Sequence, residues 1–150
     1  MEKLVVVQKQ NAATDTAALI VPAVGSNYER HPKLQRFMLT NDSTTIAVEV
    51  PVWLAHDDIA ALETEHGIRL LSADAESSMT GHIDFVQVRN GAVHILDYKP
   101  DARTNKPIAQ LTIYALALSH LTGIKLFDIK CAWFNENEYC EFFPRKVLTR

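Results

Sequence analysis

Apolar and polar positions alternate along residues 81–89 and again along 92–98, the period-2 pattern of half-buried strands. Arg89-Asn90-Gly91 separates them, and Asn-Gly between two alternating runs is the strongest short-range hairpin signal. Upstream, the β-branched stretch 44–54 predicts a strand, with Pro51 marking an edge or a bulge. Residues 56–66 predict a helix that stops at Gly67, and 70–78 a short strand and loop. After a polar loop over 100–107, residues 108–121 predict a helix ended by Gly123. Its apolar positions surround most of its circumference, so it is expected to lie buried against a sheet. Residues 127–143 predict a second hairpin around Asn135-Glu136-Asn137. Before residue 41 the pattern is weaker. Residues 4–8 and 17–24 read as short strands or buried extended segments, 25–27 as a break, and 29–39 as a short helix with Pro32 in its first turn.

Composition narrows the class. A chain of 150 residues with 47% hydrophobic and 22% charged residues is the size and make-up of one soluble globular domain. No apolar run approaches the roughly 18 residues that cross a bilayer, and the N-terminal apolar stretch is too short for a signal peptide, so the expected location is intracellular, in the cytoplasm. The net charge of −3 argues mildly against a protein that coats nucleic acid, while leaving room for a local basic patch, for which Arg30, Lys33, Arg36, Arg103 and Lys106 are candidates. If Asn135-Glu136 turns the second hairpin, Cys131 and Cys140 fall opposite each other. In a reducing compartment two small strand residues are favoured over a disulfide.

The hairpin carries the chemistry. It folds Asp84 back beside Asp97, and Asp97 and Lys99, two apart, point to the same face of their strand. Two carboxylates and one ammonium at a strand end make a hard-cation site with a charged amine beside it, which metal-assisted phosphodiester cleavage requires. The apolar pair Ile95-Leu96 immediately precedes Asp97, so Asp97 is close to a buried sheet, where an unpaired carboxylate is costly. Asp84 beside it adds repulsion unless a cation or a shared proton intervenes.

These residues resemble the PD-(D/E)xK nuclease superfamily, in particular its RecB-type branch. The resemblance rests on Gly81-His82-Ile83-Asp84 for the branch's G-x-I-D, Ile95-Leu96-Asp97-Tyr98-Lys99 for hydrophobic-D-x-K, and Gln110 to Tyr114 for Q-x-x-x-Y, in that order on strand, strand and helix. It covers about 45–144 and implies an α/β, restriction-endonuclease-like core: a mixed central sheet flanked by helices, with 1–150 as a single domain. It implies Mg²⁺ or Mn²⁺ as cofactor, held by Asp84, Asp97 and the backbone carbonyl of Tyr98. All-oxygen ligands without a Cys/His cluster point to the same hard ions. The iron–sulfur cluster of some relatives needs four thiolates, and this chain has two cysteines.

The family draws a further ligand from upstream, and here two residues compete. His31 lies on the predicted helix before the sheet, but Gly25 is too far away for the branch's G-x-x-x-H, and Pro32 follows at once. Glu49 matches a glutamate that the branch often has before G-x-I-D. It reads as lying opposite its apolar neighbours Val48 and Val50 and is preferred, because its strand should run beside the hairpin. Gln110 and Tyr114, one helical turn apart, share a face that in the family looks toward the active site or the DNA backbone. Lys99 either helps deprotonate the attacking water or stabilises charge on the phosphate. His56, His66, His82, His94 and His120 carry no predicted chemistry.

The implied function is a metal-dependent deoxyribonuclease, exo- or endonuclease, with Asp84, Asp97, Lys99, Gln110 and Tyr114 as catalytic residues. Its partners are DNA and a protein such as a helicase or recombination factor, without a membrane role; a homodimer is compatible with the chain. The rival is a catalytically inactive nuclease-fold module that binds DNA or serves as a scaffold, against which the intact Asp84–Asp97–Lys99 set argues. A small Asp/His hydrolase finds no nucleophile motif to support it.

Overall fold

A computed structural model of the chain describes residues 4–70 and 78–148, so most of the strand and loop expected at 70–78 lies outside the described residues. Two strands are joined by the Asn90-Gly91 turn, both residues with positive φ (53° and 72°), the backbone that suits the twist of a two-residue hairpin. They are β3 (Met79–Arg89) and β4 (Ala92–Tyr98). Outside β3 lies β2 (Thr45–Leu54) at the sheet edge, which is where Pro51, lacking an N–H, is tolerated. On the other side of β4 come β5 (Ile129–Phe134), β6 (Tyr139–Phe142) and β1 (Val7–Gln8), giving the order β1-β6-β5-β4-β3-β2. Only β4 and β5 run parallel, because α4 (Ile108–Thr122) carries the chain back between them. The sheet is mixed and flanked by helices on both faces, as the resemblance implied.

Each face has its own core. On one side α4 and α3 (His56–His66) pack Leu111, Ala115, Leu118 and Ile59 onto Ile83, Ile95, Cys131 and Trp133. On the other, α1 (Ala12–Ile20) and α2 (Asn27–Asn41) set Ala13, Ala17, Leu34 and Met38 onto Phe85, Leu96, Tyr98 and Phe134. Leu34 and Met38 are fully buried, each stabilising the fold by about 1.5–3 kcal/mol. The centre of β4, buried on both faces, therefore reads as the unbroken apolar pair Ile95-Leu96.

Three expectations are corrected. Residues 17–24 form the end of α1 and a 3₁₀ turn (Val21–Ala23), not a strand, and of 4–8 only Val7–Gln8 pairs into the sheet. The signal lay in Asn11, whose side chain caps α1 by accepting the Ala13 N–H at 2.8 Å, and in the i, i+4, i+8 spacing of buried Ala13, Ala17 and Val21. Second, Pro32 falls in the second turn of α2 rather than the first, and the helix runs through it to Asn41, so Pro32 removes one hydrogen bond without ending the element. Third, Cys131 and Cys140 are not opposite. Asn135 closes a four-residue turn with Glu138, which shifts the register by two and pairs Cys131 with Phe142 and Cys140 with Trp133. Both cysteines are free and buried. Among the described residues no helix is long and apolar enough to cross a membrane.

Candidate active site

The hairpin opens at the end away from its turn. Cross-strand rungs run from Arg89–Ala92 to Phe85–Leu96 and stop there. At the next position the carboxylate of Asp84, not a backbone carbonyl, accepts the N–H of Tyr98, at 2.9 Å. β3 changes face here. Ile83 and Val86 belong to the α4 core, whereas Phe85 between them belongs to the α2 core. Across the other ladder β2 makes a matching irregularity. Glu49, facing the Asp84 position between the Val48–Phe85 and Val50–Ile83 rungs, has φ +50°. Val48 therefore turns to the α2 core and Val50 to the α4 core, so the two do not share a face as regular alternation had predicted. A left-handed backbone at a non-glycine residue costs about 1–2 kcal/mol, and its place beside Asp84 is where such strain tends to be stored.

Three groups meet in this fork. His31 Nε2 lies 3.0 Å from the Tyr98 carbonyl oxygen and 3.3 Å from Asp84 Oδ2. A carbonyl only accepts, so Nε2 carries the proton and donates. The ring stands edge-on to that of Tyr98, with centroids 5.0 Å apart. The hydrogen bond to Asp84 raises the His31 pKa against the opposing effect of burial. Burial also works against ionised Asp84, but hydrogen bonds from His31, Asp97 and the Tyr98 N–H outweigh it and hold this carboxyl below its usual range. Asp97 goes the other way. Burial first, then the hydrogen bond and charge of Asp84, push it up to about 7, and Lys99 offsets only part of this. The two carboxyls thus share a proton near neutral pH, the behaviour of paired acids short of positive charge.

Lys99 Nζ stands 3.2 Å from Asp97 Oδ2, an ion pair without hydrogen-bond alignment, so this buried oxygen has no aligned donor. Glu49, by contrast, is tied to Gln35, whose Nε2 donates to Glu49 Oε1 at 2.5 Å and to the Asp84 carbonyl at 3.2 Å. Gln35 was not anticipated. Its signal was a polar residue next to Leu34 on the inward side of α2, one turn after His31, and it is 4% exposed. Gln110 donates to the Tyr114 hydroxyl at 3.1 Å, so the pair shares a face and a bond. Tyr114 also lies so close over Gly81 that a Cβ there would collide with its ring, which joins the G-x-I-D and Q-x-x-x-Y motifs in one contact. Of the basic candidates, Arg30, Lys33 and Arg36 lie on α2, Lys33 and Arg36 beside a groove that Ile20 and Val24 also line; Arg103 and Lys106 lie on the loop after Lys99.

The donor set suits a hard divalent ion. Two carboxyls and a carbonyl converge, and the buried Asp97 Oδ2 has the Lys99 ion pair but no hydrogen-bond donor aligned on it. Among the described residues no three His, Cys, Asp or Glu side chains form a ready-made cluster. Magnesium in particular is commonly held by one or two carboxylates, with water and substrate phosphate completing its shell.

Comparison with known proteins agrees with this fold. No curated protein matches the chain, whereas a family model, that of the PD-(D/E)XK nuclease superfamily, matches residues 7–141. That span takes in the sheet up to Glu141, one residue short of the end of β6, with the fork at Asp84 and the Asp97–Lys99 pair. The chain belongs to the PD-(D/E)XK nuclease superfamily.

Proposed function

We propose that this protein is a metal-dependent deoxyribonuclease, with residues 1–150 as one domain and Asp84, Asp97, Lys99 and the Tyr98 carbonyl as its reaction centre. Membership in a nuclease superfamily supports a nucleic-acid substrate and phosphodiester hydrolysis as the reaction. The observation that carries the metal dependence is the charge imbalance in the fork: two partly buried carboxyls, one pushed up to about 7, face a single lysine. Mg²⁺ or Mn²⁺ bound by Asp84, Asp97 and the Tyr98 carbonyl would relieve that imbalance, acidify a coordinated water and screen the departing oxygen.

His31 is the better supported upstream ligand, which reverses the preference for Glu49. Its Nε2–H already bridges Asp84 and the Tyr98 carbonyl, whereas the Glu49 carboxylate is engaged by Gln35. Ligation would require Nε2 to give up that proton, so binding should strengthen as pH rises. Lys99, fixed by Asp97, presents its ammonium to the attacking water or to a phosphate oxygen. Gln110 and Tyr114 offer neutral hydrogen-bonding groups on the α4 side.

The deciding experiment is cleavage of linear and circular DNA with Mg²⁺ or Mn²⁺ present. Activity is expected to vanish with excess chelator, to return with either ion, and to be absent from Asp97→Asn. Cleavage that continues in excess chelator overturns the mechanism. An intact fold that binds DNA and never cuts it points instead to the inactive module.

A further inference from the structure

β2 and β3 continue past the fork, and among the described residues one face of this extension is uncovered. The Pro51–His82, Val52–Gly81 and Trp53–Thr80 rungs continue the ladder toward Leu54–Met79. Val52 and Leu54 face the α4 core, so Pro51, Trp53, Thr80 and His82 look out on the opposite side, the side of α2. All four are exposed, Trp53 at 52%. This is a sheet surface with an indole and an imidazole on it, reached directly from Asp84. Four residues at about 3.3 Å each separate Trp53 from Glu49, roughly 13 Å along the strand.

We propose that this uncovered end of the β2–β3 ladder is a seat for unpaired nucleotides of single-stranded DNA, with the Trp53 indole stacked on a base. The proposal rests on the nuclease reading, because a nucleic acid engaged at Asp84 and Asp97 must run over the surface beside them. The chemistry of the surface decides which form of DNA it accepts. Duplex DNA presents phosphates outward, and a track for it needs lysines or arginines. Pro51, Trp53, Thr80 and His82 include none, nor any carboxylate that would repel the strand. Such a surface grips base faces, which only an unpaired strand exposes, and aromatic stacking is how proteins hold single strands irrespective of sequence. Trp53 stands half in water at the mouth of the site. The other tryptophan, Trp133, is 1% exposed and donates its indole N–H to the Ala102 carbonyl.

That contrast makes the test direct. With cleavage blocked by chelator, the full chain is titrated with a thymidine oligomer of about a dozen nucleotides and with a blunt duplex, following tryptophan emission. The oligomer should quench the exposed Trp53 signal, and Trp53→Phe should lose the quenching while keeping most of the affinity. Trp53→Ala should weaken oligomer binding by about tenfold or more, the scale of one stacked base, and leave duplex binding unchanged. Undiminished oligomer binding by Trp53→Ala overturns the proposal, as does equal weakening toward the duplex. The outcome is separable from the nuclease reading: Trp53-dependent binding without metal-dependent cleavage would retire the chemistry alone, and cleavage without Trp53-dependent binding would retire this surface alone.

Discussion

Glu141, buried, and Asp97, partly buried, are both carboxyl groups on this sheet, and their surroundings drive them in opposite directions. Glu141, on β6, sits between Lys9 at 2.8 Å and Lys130 at 3.0 Å. Burial disfavours its charge, but hydrogen bonds and attraction from the two ammonium groups outweigh burial and keep it ionised, with its pKa lowered. Asp97, on β4, has one lysine and a second carboxyl, and burial with that neighbour raises it to about 7. Two cations to one anion is a closed account of charge that needs nothing more. Two carboxyls to one lysine, with a half-exposed histidine alongside, leaves room for a divalent ion. The first cluster ties an edge strand to the sheet; the second is the proposed reaction centre.

Breaking each cluster at one lysine gives the largest contrast. Lys99→Ala is expected to slow the chemical step on the order of a hundredfold or more, with DNA affinity little changed. Lys130→Ala should leave cleavage intact and act on stability alone. Single-turnover rates for the two variants check this, and a normal rate for Lys99→Ala would reduce the Asp97–Lys99 pair to a surface ion pair.

The choice of upstream ligand comes next. His31→Ala should weaken Mn²⁺ binding about tenfold or more, whereas Glu49→Gln, which keeps a partner for Gln35, should change it less. Titration calorimetry measures both. Loss only in Glu49→Gln would restore the sequence-based order.

The smallest effect is on stability, and its sign follows from the shifts. The folded-state pKa of Asp97 lies above its unfolded value of 3.8, so between about pH 4 and pH 7 the folded protein keeps a proton that the unfolded chain releases, and stability falls as pH rises. His31, also raised, stabilises below its unfolded value and loses that contribution as pH rises through its folded one. Glu141 acts oppositely, giving stability above its unfolded value that is lost on acidification. In chelator the melting temperature should therefore decline from about pH 5 to about pH 8, and the decline should shrink in Asp97→Asn or with added Mn²⁺. A parent protein whose decline matches that of Asp97→Asn would remove the strained pair as its cause.

Much of the fold was legible because it is written in local patterns. The Asn90-Gly91 turn, the left-handed stops at Gly67 and Gly123, and the spacing of Asp97 and Lys99 all act over a few residues. Residues 17–24 were misread because Ala17 to Val24 is apolar throughout, and a short apolar run does not by itself separate strand from helix. The cap at Asn11 and the spacing of Ala13, Ala17 and Val21 carried the helical signal.

By itself the sequence determined which side chains the hairpin brings together: Asp84 beside Asp97, with Lys99 on the same face as Asp97, since turn type and strand period leave them no alternative. Tertiary structure alone decided what stands around them. α2 carries His31 across 67 residues of sequence to the Tyr98 carbonyl, Gln35 takes Glu49, and Tyr114 closes over Gly81. Those contacts depend on how a helix lies on a sheet and on where two adjacent strands lose their alternation together. Both are set by packing over the whole core, which no short window of sequence records.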